Sequence, residues 1–139
     1  MTQTVIWGSK SINVNQNSRR YLGLGFHANR SGSTNTFSST YRVPQSSARI
    51  SEIYLTWQAR TTAPGLMSFA LELIRSGEES PVEVFRQEVN PSTTLPSTVE
   101  ARELSIPVKA GDRLMALVQV GPQNLDSSPF YLSLQAVIR

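Results

Sequence analysis

Apolar and polar residues alternate with a period of two along most of this chain. The pattern is cleanest over Arg49–Ala59, where Ile53, Leu55, Trp57 and Ala59 fall on one side and Glu52, Tyr54, Thr56 and Gln58 on the other. It returns over Arg113–Val120, with Leu114, Ala116, Val118 and Val120 opposed to Arg113, Met115, Leu117 and Gln119, and again over Phe130–Ile138. Successive side chains of a strand point to opposite faces, so each run predicts a strand with one buried face. The same reading gives short strands at 4–7, 11–15, 20–26, 37–43, 66–75, 82–89 and 98–106. The 66–75 run is rich in helix-forming Ala, Leu, Glu and Met, but the alternation of Met67, Phe69, Leu71 and Leu73 between close turn signals favours a strand.

Turn chemistry separates these runs. Lys109-Ala110-Gly111-Asp112 reads as a tight turn, with Gly111 free to take a positive φ and Asp112 able to bond back to the turn's own amides. Pro107 marks where the preceding strand stops donating to a ladder. Residues 76–81 close a hairpin, while 27–36, 90–97 and 121–129 are polar crossing loops. Nine or ten short strands without a helix, a repeat or a linker describe an all-β, single-domain β-sandwich, and the loop order suits a jelly roll of about eight to ten strands over residues 1–139. Residues 1–9 are a candidate N-terminal arm or edge strand that reaches a neighbour by strand addition.

A Gly-punctuated hairpin, then an alternating strand, then Val108-Lys109-Ala110-Gly111-Asp112-Arg113-Leu114, a loop and an aromatic closing strand form a recognisable order. Over roughly the last 75 residues it resembles tumour-necrosis-factor-like and complement-globular-head-like jelly rolls, and the jelly-roll proteins of virions, tailed-phage head cement or decoration proteins among them. The resemblance implies a virion structural protein that stabilises a phage head at shell-subunit junctions, with the major capsid protein or other virion proteins as partners and a dimer or trimer as its own state. The alternative it leaves open is a glycan- or receptor-binding jelly-roll module of a viral fibre or tail. A third reading, a shell-forming capsid subunit, calls for a basic N-terminal arm, which this sequence lacks.

Composition narrows the chemistry. Among 139 residues there is no cysteine and one histidine, His27, which excludes the common zinc patterns and leaves Ser-His-Asp or Cys-His catalysis without its parts. Tyr21-Leu22-Gly23-Leu24-Gly25 has neither the Lys-Ser/Thr of a phosphate loop nor a following helix. Asn124 and Asp126 bring too little charge for a strong calcium site. Glu52, Glu72, Glu83, Glu88, Glu100 and Glu103 fall mostly on polar faces and read as solubilising or inter-subunit charges, not a hydrolase pair. The expectation is therefore no enzyme, no metal and no cofactor. No apolar run approaches the roughly 20 residues of a membrane span, and the first residues lack the basic head and apolar core of a signal peptide. A virion protein made in the host cytoplasm, without a membrane or nucleic-acid partner, is the expected setting.

Charge is laid out unevenly. Up to Arg60 seven cations stand against Glu52 alone, while from Thr61 six cations face nine acids; arginines outnumber lysines by 11 to 2. Arginine is favoured where planar multi-donor contacts to carboxylates form at interfaces. Either the two halves meet partners of opposite sign, or strands distant in sequence interleave and mix the charges again. On the first reading Arg19, Arg20, Arg30 and Arg42 would meet an acidic shell surface, Ile6 and Trp7 would serve as apolar anchors, and Tyr54 and Tyr131 would lie on a contact face. Arg19 and Arg20, at a strand end, are then expected to matter for docking and not for folding.

Overall fold

A computed structural model describes residues 2–12, 19–27, 40–59, 67–90, 96–120 and 130–139. Among these residues eleven strands form two sheets. Sheet A runs β3 (Gly23–His27), β1 (Gln3–Ile12), β11 (Phe130–Ile138), β5 (Ala48–Ala59) and β8 (Ser97–Ala101), with β9 (Ile106–Val108) also on β5. Sheet B runs β2 (Arg19–Tyr21), β10 (Arg113–Val120), β6 (Met67–Ile74) and β7 (Val82–Val89), with β4 (Tyr41–Arg42) also on β10. Every pairing is antiparallel except β1 with β3. This is the all-β jelly-roll sandwich that the alternation predicts.

The inward rows are those legible in the sequence. Val5 and Trp7, Ile53, Leu55 and Trp57, and Leu132, Leu134 and Ala136 from sheet A meet Met67, Phe69, Leu71 and Leu73, and Leu114, Ala116 and Val118, from sheet B. Trp57 and Phe69 touch across the layers, with ring centroids 6.2 Å apart and planes tilted by 48°. The chain passes from sheet B to sheet A between β2 and β3. Leu22 is buried at the crossing, its amide bonded to the Ala116 carbonyl, and Gly25 takes a φ of 76° that a side chain would resist.

Five local expectations change, the first being that the strand expected at 20–26 is two, β2 and β3, in different sheets. Residues 4–7 and 11–15 are not separate strands: β1 continues through Gly8 and Ser9, with a register shift between Ser9 and Ile12. Because β1 pairs with β11 from Gln3 onward and with β3 on its other side, residues 3–9 are an inner strand of sheet A and neither a free arm nor an edge. The 98–106 run breaks into β8 and β9, since the four residues between Ala101 and Ile106 lie against the two on β5 between Ile50 and Ile53. Glu103 absorbs the excess with a left-handed φ of 59°, and Leu104 donates to the Ser51 carbonyl. Pro107 sits inside β9 instead of ending a strand, which is tolerated because, among the described residues, β9 is paired on one side, with β5. The readings placed on 13–18, 28–39, 60–66, 91–95 and 121–129 lie outside the described residues.

One turn ties the layers at their shared end. Asp112, fully buried, accepts from the Ser76 amide through Oδ1 at 3.0 Å, and from the Lys109 amide and Arg75 Nη1 through Oδ2, each at 3.0 Å. Its carbonyl accepts from the Val43 amide at 2.8 Å, and the Gly111 amide donates to the Val43 carbonyl at 3.0 Å. One carboxylate thus fixes the β9–β10 turn and the start of the β6–β7 hairpin, while its backbone holds the segment after β4. Gly111 has a φ of 89°, and a Cβ there would lie 2.7 Å from Ser76 Oγ, so the turn accepts only glycine without strain.

Burial by itself pushes the Asp112 carboxyl upward, but the Ser76 and Lys109 amides and the Arg75 guanidinium outweigh it and hold the group below its ordinary value of 3.8. A carboxyl depressed in the fold stabilises fully above its unfolded value, and that contribution drains away as pH falls through the folded value. Asp112→Asn sets an amide NH2 against backbone donors and is expected to cost about 2–3 kcal/mol in urea unfolding at neutral pH. The same variant should lose less stability than the parent between about pH 5 and pH 2.5, because its residue 112 no longer titrates.

Candidate interaction surface

The two outer faces of the sandwich are built differently. On sheet B, β10 directs Arg113, Met115, Leu117 and Gln119 outward, and β6 directs Ser68, Ala70, Glu72 and Ile74. Met115, Leu117, Ala70, Ile74, Ser68 and Glu72 are nonetheless buried. The polar side chains of neighbouring strands arch over this face. From β2, Arg19 Nη2 donates to Glu72 Oε2 at 2.6 Å and the Tyr21 hydroxyl donates to Glu72 Oε1 at 2.8 Å, both crossing β10. The Arg19 guanidinium also lies 5.7 Å from the Tyr21 ring centre. From β7, Arg86 crosses β6 beside Ala70, whose small side chain leaves room, and donates to Gln119 Oε1 at 3.1 Å while pairing with Glu83 at 2.7 Å. Burial, then the bond to Glu72, raises the Tyr21 phenol above its ordinary value. Sheet B therefore meets solvent through a roof of side chains bonded to one another.

Sheet A has an open outer face. Cross-strand register sets Ile6, Gln135, Tyr54 and Glu100 in one row. A second row holds Gly8, Ser133, Thr56 and Thr98, and Tyr131 stands opposite Gln58 beyond it. Between the charged edge of β8 and the other side of the sheet, this surface carries hydroxyls, amides and two exposed large apolar groups, Ile6 at 39% and Tyr131 at 42%. Charge gathers toward one end. The Tyr54 hydroxyl donates to Glu52 Oε2 at 2.6 Å, Arg102 lies 6.0 Å from the Tyr54 ring centre and pairs with Glu100 at 2.9 Å, and Arg139 reaches Glu52 at 3.4 Å. The bond to Glu52 pushes the Tyr54 phenol above its ordinary value.

The residues expected to form one contact surface separate under this geometry. Ile6, Tyr54 and Tyr131 share the outer face of sheet A. Trp7 is fully buried, because the alternation of β1 turns it into the core beside Val5 and leaves Ile6 outside, so it is no surface anchor. Arg20 lies opposite the inward residue Val118, and its Nε is buried, which removes it from a flat contact face. Arg19 is committed to Glu72 on the outer face of sheet B, so its part is in bracing the fold. Arg42 is exposed at the end of sheet B, and Arg30 lies outside the described residues. Glu72, expected on a solvated face, is 7% exposed and is the keystone of the roof. Nothing local marks it, since its partners are 53 and 51 residues away. The pairs Arg19–Glu72 and Arg139–Glu52 join the basic and acidic halves of the chain, so strand interleaving does mix the charges. Among the described residues no three or more His, Cys, Asp or Glu side chains group as metal ligands, and no helix is long and apolar enough to cross a membrane.

No protein-family model matches the sequence, and no curated protein matches it either. Solved structures do. Eiger TNF from S. frugiperda aligns over 99% of this chain and 92% of its own, with a TM-score of 0.51 at 12% identity. The globular domain of zebrafish complement 1qA aligns over 99% and 96%, with a TM-score of 0.50 at 10% identity. A chain of infectious bursal disease virus, Gx strain, aligns over 99% and 32%, with a TM-score of 0.49 at 10% identity. The insect and zebrafish alignments span the whole sandwich, and the class they define is the jelly roll.

The Arg19–Glu72 pair reverses the expectation that Arg19 is dispensable for folding. Arg19→Glu faces a nearly buried carboxylate with a second one and should destabilise by about 2 kcal/mol in urea unfolding. A double-mutant cycle of Arg19→Gln with Glu72→Gln should give a coupling of about 1 kcal/mol, reduced only weakly by salt because Glu72 is shielded.

Proposed function

We propose that this protein is a non-enzymatic structural protein of a virion, a cement or decoration protein that binds where the shell subunits of a tailed-phage head meet, itself a dimer or trimer. The observation that carries the reading is the contrast between the two outer faces. Sheet B has bonded its polar groups to each other over its apolar residues, while sheet A leaves Ile6 and Tyr131 exposed on a strip of small hydroxyl and amide side chains. Such a surface loses little on desolvation and gains from apolar burial, which suits contact with protein.

The mechanism is linkage. A ligand that binds only the assembled shell favours assembly by its own binding free energy, and bridging two shell subunits adds contact area that neither has when separated. The rigid β-framework serves this because the contact face is set before binding, so little ordering is lost on docking. Ile6 and Tyr131 act as the apolar contacts, with Tyr54, held by Glu52 and Arg102, as a preset polar one. The major capsid protein is the expected partner, with other virion proteins as the remaining choice.

Co-sedimentation with phage shells stripped of their accessory proteins tests this. The parent should pellet with shells, and Ile6→Asp combined with Tyr131→Ser should weaken that binding by at least about tenfold with the melting midpoint kept within about 3 °C. Failure to bind any shell together with retention on a glycan array would transfer the face to a carbohydrate-binding role.

A further inference from the structure

One end of the sandwich carries an arrangement that folding alone does not favour. Arg42 on β4 stands directly opposite Arg113 on β10. Arg49 on β5 stands directly opposite Arg139, each amide donating to the other's carbonyl at 2.9 and 2.8 Å. Like charges facing each other across a strand pair are destabilising. Both pairs flank the same turn, since Val43 is bonded to Gly111 and Asp112 and Ala48 lies opposite Val108. Val43, Leu114, Ile50 and Ile138 point into the core, so their arginine neighbours point away from it. The Arg42–Arg113 pair therefore projects from the outer face of sheet B and the Arg49–Arg139 pair from that of sheet A, with exposed Lys109 in the turn between them.

Of these five cations, Arg139 alone has an ion pair among the described residues, to Glu52 at 3.4 Å. Asp112 is buried and occupied by Arg75 and two amides. Glu52 is 3.4 Å from Arg139 and is engaged more closely by Tyr54. Arg113 donates to the Glu78 carbonyl and Arg49 to Ser105 Oγ, both uncharged acceptors. Arg42 is exposed, and its guanidinium has no ion pair among the described residues.

We propose that this end, formed by Arg42, Arg49, Lys109, Arg113 and Arg139, is a docking site for a carboxylate-rich protein surface, which the sandwich meets end-on. Arginine side chains stand on both outer faces beside the turn, and planar guanidinium forks match carboxylates in a bidentate geometry. The footprint is short. Glu78, whose carbonyl accepts from Arg113, and Glu79 next to it in the β6–β7 turn border the cluster. Such acids repel a continuous polyphosphate track but admit a local acidic patch, which favours protein over nucleic acid. A local rule broken twice at one place, with its compensation outside the chain, is characteristic of a binding site. Identifying that acidic surface with a shell rests on the virion reading; the docking site itself does not.

Immobilised poly-L-glutamate is the probe, with duplex DNA as the competing polyanion. The parent should bind poly-L-glutamate, and the affinity should fall steeply between about 50 mM and about 300 mM salt. Arg42→Gln with Arg49→Gln should bind on the order of tenfold more weakly, with a melting midpoint equal to or above the parent's because like charges have been separated. The charge-preserving Arg42→Lys with Arg49→Lys should keep most of the binding. Unchanged binding by the glutamine variant, binding indifferent to salt, or tighter binding of the parent to duplex DNA would each overturn the proposal. Poly-L-glutamate binding that survives in a protein unable to bind any shell would refute the virion reading alone.

Discussion

The buried Asp112 carboxylate is the constraint on which this sandwich depends. A charge with no solvent contact persists only when donors surround it, and three converge here from two separate turns. Two of the donors are backbone amides, so Asp112 dictates main-chain positions: the β9–β10 turn cannot open, nor the β6–β7 hairpin pivot, without abandoning the charge. Val43 is drawn into the same knot by its two backbone bonds to the turn. The strands of both sheets that leave this end thus start from fixed relative positions, and the apolar rows of β5, β6, β10 and β11 meet in register.

With the interior settled in that way, the outer faces are free to differ. Away from the Arg42–Arg113 end, sheet B has bonded its long polar side chains to one another, and that part of the surface has few groups left to offer a partner. Sheet A places small polar residues at its centre and keeps its ion pairs at the β8 edge and one end, which leaves Ile6 and Tyr131 in open positions. The division of labour is physical. A face closed by internal ion pairs would lose them on desolvation, whereas a hydroxyl- and amide-covered face has little electrostatic energy to lose.

The basic end adds direction to this picture. An apolar strip sets contact area but is nearly indifferent to orientation along the surface, while a cluster of charges at one end distinguishes up from down and steers the approach. Arg75, drawn inward by Asp112, is the one cation of this end whose charge is matched by a buried partner, and the others ring it at the rim.

Period-two alternation by itself determined the class of fold, the inward rows, the β6–β7 hairpin and the form of the Lys109–Asp112 turn, because each depends on residues close in sequence. A strand needs only its own pattern to choose a face, and Gly111 and Asp112 need only their own turn to show their purpose. Tertiary structure decided the rest. Trp7 and Ile6 are adjacent apolar residues on a short run, and only pairing with β11 showed which of them faces the core. Glu72 and Arg19 read as surface charges until β2 was laid against β10, which itself lies against β6. The opposed arginines are likewise invisible in the chain, since Arg49 and Arg139 meet only when the last strand closes on β5. Burial of a charge and opposition of like charges are properties of strand neighbours, and in a jelly roll most neighbours are remote in sequence.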